Sequence, residues 1–477
     1  MNRRDFLKHS ALAATPAMAQ YPQLHVEPAR MKAGFAERDI TPKVETARIH
    51  DPLKVRAAVF DDGKMQVALV GVDALFVARP VVLAARRQIQ ERCGIPPEAV
   101  MVGASHSHSV ERASDPAYAD FLARQIADAV GQASVSRAAG RCGVGSGFEN
   151  QVAFNRRLRM KNGLTSTHPG QGNPDIVGFA GPTEPEVGVI GAWDEKGRLL
   201  GSIVNYACHA TTSPPGISAN WIYYMEKVVR GLDPSAVVVF LQGASGDVTQ
   251  VNNLSPYARP SGDEYARFVG GRIGAEAAKA LASIQPGILA PLAARSKVWR
   301  IPYRVPRPER VRRAEEIVKQ APPKGETTEL RFARTLLNFV AQRAKEPNCE
   351  VEVQAIQVGP AVFISNPAEL FCQFGLDLKA ASPFRFTYPV ELANGSVGYV
   401  PTEEALGEHG GGYETRLGVS RLEVTAGRQM VEAGLELART MTPGPVPQPP
   451  PAELFRREPG NIGSQPWSFG NVPPEVS

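Results

Sequence analysis

The chain has 477 residues, of which 43% are hydrophobic and 21% charged, and a net charge of +5. That balance describes a globular protein long enough for a large core and gives no indication of nucleic-acid binding. No stretch reaches about 18 consecutive apolar residues, so there is no candidate transmembrane helix.

The N-terminus, "MNRRDFLKHSALAATPAMAQ", pairs Arg3 and Arg4 with a short small-apolar segment that closes on Ala17-Met18-Ala19. This is the pattern of a twin-arginine signal with cleavage after Ala19, which predicts a periplasmic or secreted protein. Next, "RAAVFDDGKMQVALVGVD" predicts two strands joined at Asp62-Gly63, a pair that tolerates positive φ. Val82, Ala85, Ile89 and Cys93 recur at helical spacing, and Gly94 is placed to end that helix. "EAVMVGAS" predicts a buried strand that runs into "HSHS", and Asp115-Pro116 opens a further helix. "LLGSIVNYACHA" and "AVVVFLQGASGD" predict more buried strands. From Asp263 the chain is helical, with Phe268, Val269, Ile273, Ala277 and Leu281 on one stripe.

Arg295 to Arg313 is rich in arginine, but the following Glu315 and Glu316 make it a solvated helix face. Two helices separated by "APPKGE" predict a hairpin insertion near 307–343, laid over the core. "AVFISNPAEL" restores a strand and then a helix. After Met441 the chain turns proline-rich, an extended tail over 441–477. Strand and helix alternate throughout, which predicts an α/β fold: a mixed central sheet with helices on both faces.

The polar clusters follow the apolar strands. His106 and His108 follow "AVMVGAS", His209 follows "SIVNYAC", Glu369 follows "AVFISNPA" and Tyr399 follows "PVELANGSVG". Ligands of α/β sheets gather beyond the carboxyl ends of strands, so these residues are candidates to converge. Two imidazoles and a carboxylate suit a catalytic zinc that keeps a position open for water or substrate. The five cysteines, Cys93, Cys142, Cys208, Cys349 and Cys372, contain no CxxC pair, which argues against a thiolate zinc site, and the sequence requires no disulfide. Taken alone, each of these residues is equally consistent with a structural role. A metal-free serine hydrolase using Ser245, His209 and Asp247 is a rival reading, although "GASGD" lacks the G-x-S-x-G elbow.

Strung in order, "AGFAERDITP", "VGASHSHS", "FNRR", "TEPEVGVIGAWDEKGRLLGSIVNYACHAT", "LQGASGDVTQ", "NPAEL" and "GYVPTEEA" resemble the neutral/alkaline ceramidase N-terminal domain family over roughly residues 33–440. The resemblance implies a zinc amidohydrolase, cleaving an N-acyl (amide) bond with metal-activated water, in a catalytic domain over 20–440. It implies His106, His209, Glu369 and Tyr399 as the metal ligands, with Zn²⁺ as the cofactor. It leaves His108 beside the metal ligands or facing the substrate, where an imidazole with a pKa near neutrality is a candidate to carry protons, and it places Arg156, after Asn155, on the substrate. The implied substrate is a small molecule such as an N-acyl lipid. Two departures bear on ceramide itself. Thr249 stands where the family carries a serine involved in attack, and the chain ends in a proline-rich tail where the family has a β-sandwich. Hydrolysis of an ester or glycoside on the same scaffold, or a non-catalytic protein that keeps the metal for shape, are the alternatives. Replacing Arg3 and Arg4 by Lys is expected to leave the precursor in the cytoplasm, read by fractionation; normal export of that variant overturns the twin-arginine assignment.

Overall fold

Runs such as "VRAAVF" and "VALVGV" are apolar on both faces, so the strands they form must be covered on both sides. The computed structural model describes residues 31–42, 48–110, 116–258, 260–322 and 325–449. The segment 1–19, expected to be a signal, and the part of the expected tail beyond 449 lie outside the described residues. Eight strands form one mixed sheet, in the order Val237–Gln242, Leu199–Tyr206, Glu186–Asp194, Ala138–Phe148, Lys32–Asp39, Lys54–Asp61, Gln66–Val72 and Val100–Ala104. The two outermost pairs are parallel and the inner ones antiparallel. Asp62-Gly63 turns the chain between Lys54–Asp61 and Gln66–Val72 with Gly63 at φ 85°. Gly94 ends the helix Arg79–Cys93 in the left-handed conformation.

The sheet curls until its two ends lie face to face. Gly71 makes this possible, because a Cβ there would sit 2.4 Å from the Phe240 carbonyl oxygen. Val239, Leu241 and Ile203 from one end share a buried core with Val70, Val102 and Met101 from the other. The carboxyl ends of Val100–Ala104, Leu199–Tyr206 and Val237–Gln242 are thereby drawn together.

A second sheet, in the order Leu292–Pro302, Asn348–Val358, Ala361–Ser365 and Phe386–Val390, is built from the later part of the chain, and among the described residues three smaller sheets of two or three strands accompany the two. The core of the second sheet is closed by the helices Cys372–Ala381 and Ala426–Arg439. The expected hairpin is present as the helices Pro308–Lys319 and Thr328–Lys345. Leu330, Ala333, Leu336 and Phe339 bury its inner face, and the Thr327 hydroxyl caps the second helix at Leu330 N. Residues 442–449 pass the turn between Asn348–Val358 and Ala361–Ser365, where Gln357 donates to Thr442 O at 2.7 Å and Gly444 N donates to Gly359 O at 3.0 Å.

Two local expectations are corrected. Val269, Ile273, Ala277 and Leu281 are buried, but Phe268 is half exposed and stacks on Tyr265. Neighbouring residues on a helix stand about 100° apart, which puts Phe268 on the flank of the stripe. Glu369 is also not in a helix: Glu369–Leu370 is a short strand paired with Tyr399–Val400, and the helix starts at Cys372. Gly71→Ala is expected to cost about 1–3 kcal/mol through overpacking against backbone that cannot yield. By contrast Gly271→Ala, on an open helix face, is expected to stabilise by up to about 1 kcal/mol; urea denaturation of both variants checks the sign of each.

Candidate metal centre

His106 leaves the strand Val100–Ala104 at φ 57°, a left-handed conformation that is rare for residues other than glycine. Its neighbours hold it there. Ser105 N donates to Val72 O at 2.8 Å, and the Ser107 hydroxyl donates to Ser218 O at 2.7 Å. His106 Nδ1 lies 2.8 Å from Leu75 O. A carbonyl oxygen only accepts, so Nδ1 carries the proton and Nε2 presents a lone pair. His209, fully buried beyond the strand Leu199–Tyr206, repeats the arrangement with Nδ1 2.8 Å from Ser245 O.

The two free ring nitrogens face one carboxylate. Glu369 Oε2 is 3.2 Å from His106 Nε2 and 3.5 Å from His209 Nε2. His108 joins them with Nε2 3.2 Å from His106 Nε2, and the ligand atoms of the three imidazoles lie within 4.8 Å of one another. His209 Nε2 and Glu369 Oε2 are buried and make no well-formed hydrogen bond. An unsatisfied buried polar atom costs about 1–3 kcal/mol. A divalent cation among these donors satisfies both atoms, and fixed Nδ1–H···O=C bonds are the usual support for imidazole ligands. The donor set therefore fits a metal ion.

The charges are strongly coupled. Burial alone raises the Glu369 pKa, but the two histidines outweigh it and hold the carboxyl well below the usual range. Burial lowers His106, yet the Glu369 carboxylate beside it leaves the pKa above the ordinary histidine value. For His209, burial and then the positive charges of Arg156 and His106 push the pKa well down. Burial and the charge of Glu369 keep the Tyr399 phenol well above its usual value.

Tyr399 stands directly across the short ladder from Glu369. Its Oη accepts from Arg156 Nη2 at 3.0 Å, and Arg156 also donates from Nη2 to Gly246 O at 2.9 Å and from Nε to Glu414 Oε1 at 2.6 Å. Arg156 is thus next to the candidate ligands. Thr249 is fully buried in the strand Val248–Thr249, which follows the loop that supports His209. Its hydroxyl donates to Gln250 Oε1 at 3.0 Å and lies 3.2 Å from Thr211 Oγ1, so its partners are neutral groups. On the rim Tyr413 is partly exposed, its ring centroid 5.6 Å from that of Tyr399 and 5.8 Å from that of Phe332 on the hairpin.

The serine-hydrolase constellation is not assembled. Ser245 Oγ donates to Glu391 at 2.6 Å, and the Asp247 carboxylate is taken up by Asn155 Nδ2 and Cys372 N. His209 meets Ser245 through the backbone carbonyl, so no imidazole reaches the hydroxyl and the Ser-His-Asp arrangement is absent. Three buried residues escape sequence reasoning: Gln242, Glu391 and Glu414. Their signal is a glutamate or glutamine inside an apolar strand or beside a glycine run, a pattern that does not say which partner it meets.

The fold is one shared with ceramidases of known structure. A ceramidase complexed with C2 superposes with a TM-score of 0.66, and the neutral ceramidase from Pseudomonas aeruginosa with 0.64; each is 19% identical to this chain. Both superpositions cover 88% of this chain, and they cover 78% and 77% of the two structures. No protein-family model matches the sequence, and no curated protein is similar to it. Removing Arg156 leaves Glu414 as a buried carboxylate short of its closest cation. Arg156→Ala is accordingly expected to destabilise the fold by about 3–5 kcal/mol in denaturant titration, with Arg156→Lys recovering part of the loss.

Proposed function

We propose that the chain is an exported, zinc-dependent hydrolase that cleaves an N-acyl (amide) bond of a small-molecule substrate such as an N-acyl lipid. The observation that carries this reading is the meeting of His209 Nε2 and Glu369 Oε2, buried and without hydrogen-bond partners, beside His106 Nε2. The ceramidase fold supports the choice of an amide.

His106, His209, Glu369 and Tyr399 would hold the ion. When bound, zinc supplies Lewis acidity and a water of depressed pKa. The chain's own groups do the rest. His108, whose ring is exposed beside the buried pair, carries the proton from the attacking water to the leaving amine. Arg156 has Nε and Nη2 committed to Glu414, Gly246 and Tyr399, so Nη1 is the donor that orients a polar group of the substrate. Thr249 positions without attacking, because its hydroxyl has neither an imidazole nor a carboxylate to take its proton.

Turnover of N-acyl substrates by the purified protein is expected to vanish with a chelator and to return with zinc. His106→Ala and His209→Ala are expected to lose both metal and turnover. His108→Ala is expected to retain the metal and lose rate, and Thr249→Ala to lose no more than about 10²-fold in kcat. Turnover that survives removal of the metal overturns the reading. A Thr249→Ala protein that holds zinc yet is as inactive as the histidine variants makes Thr249 the nucleophile.

A further inference from the structure

Glu391 lies at the end of the strand Phe386–Val390 and is completely buried. It touches none of the candidate ligands through a hydrogen bond, yet it ties together the two segments that carry them. Its Oε2 accepts from Ser245 N at 3.0 Å and from Leu370 N at 2.9 Å. Its Oε1 accepts from the Ser245 hydroxyl at 2.6 Å. Ser245 O is the acceptor that fixes the His209 tautomer, and Leu370 directly follows Glu369. A single carboxylate oxygen therefore joins the loop that orients one imidazole to the strand that carries the carboxylate opposite it.

The junction is further closed on both sides. Gln242 Nε2 donates to the Ser245 hydroxyl at 2.7 Å and to Cys208 O, one residue before His209, at 2.8 Å. Gly246 N donates to Leu370 O at 2.8 Å, and a Cβ on Gly246 would lie 2.4 Å from Glu369 O. The loop and the strand are in backbone contact, so a shift of either moves its ligand.

We propose that Glu391 is a positioning residue for the metal centre: by holding Ser245 and Leu370 at one carboxylate, it sets the separation between His209 Nε2 and the Glu369 carboxylate. The inference rests on the metal-centre reading above. It requires an acceptor at Oε2 for the Ser245 and Leu370 N–H groups. Glutamine keeps the volume but places an NH₂ group where one carboxyl oxygen stands, against the Ser245 hydroxyl or against the Ser245 and Leu370 N–H groups.

The test measures zinc affinity by competition with a chromophoric chelator, with far-UV circular dichroism to confirm folding. Glu391→Gln is expected to fold and to bind zinc about 10- to 100-fold more weakly, the range for residues that orient metal ligands. Ser245→Ala, which removes only the hydroxyl, is expected to weaken binding less, and the double variant is expected to match Glu391→Gln because both act through one junction. Glu226→Gln, which removes a buried charge paired with Arg56 and Lys54 in another part of the fold, is expected to leave zinc affinity within about 2-fold of the parent. A folded Glu391→Gln protein that binds zinc as the parent does overturns this inference alone. So does an equal loss in Glu226→Gln, which makes the effect global. Should Glu391→Gln not fold, unchanged affinity in Ser245→Ala overturns it. A parent protein that takes up no zinc overturns the metal centre and this inference together.

Discussion

Everything at the centre follows from two backbones that meet with no side chain between them. Where Gly71 passes Phe240, the opposite ends of one sheet come close enough to share a core. His106 and His209 are 103 residues apart (209 − 106) and follow strands that are not hydrogen-bonded neighbours. Without that approach their rings have no common point. With it, Leu75 and Ser245 need only supply carbonyls for both imidazoles to turn their second nitrogens inward.

Bringing the rings together concentrates charge, and the surroundings are arranged to balance it. Glu369 sets its negative charge against two histidines and the Arg156 guanidinium. Glu414, fully buried, holds Arg156 at one oxygen and accepts from the Thr167 hydroxyl at the other. In a low-dielectric interior an unpaired ion of either sign is strongly destabilising, so each member of this set constrains the others. The left-handed backbone at His106 belongs to the same balance: local strain is tolerated because Ser105, Ser107 and the Leu75 carbonyl over-determine the position.

Much of this is legible in the amino-acid sequence. Continuous apolar runs mark the buried strands, Asp62-Gly63 and Gly94 mark their punctuation, and the position of polar residues just past strand ends marks one region of the fold. Strand periodicity is local, however, and says nothing about which strands become neighbours; the curl at Gly71 depends on contact between residues 169 positions apart (240 − 71). The roles of Glu391 and Gln242 stay hidden for the same reason, since their partners lie on other segments. Phe268 is misplaced by its spacing because a stripe drawn from spacing alone has no sharp edge. Ser245, whose glycine-flanked position suggests a nucleophile, donates its hydroxyl to a buried carboxylate and lends its carbonyl to a histidine.

The ring contacts from Phe332 through Tyr413 to Tyr399 divide the molecule by its freedom to change. The candidate ligands come from segments that follow strands of the large sheet and from the short ladder of Glu369–Leu370 with Tyr399–Val400. The hairpin that carries Phe332 leaves the second sheet at Pro302 and returns to it at Asn348. Insertions or deletions in that excursion change what lies against Tyr413 while the sheets keep their geometry. Changes of length there act on the surroundings of Tyr413 and leave untouched the segments that bring the candidate ligands together.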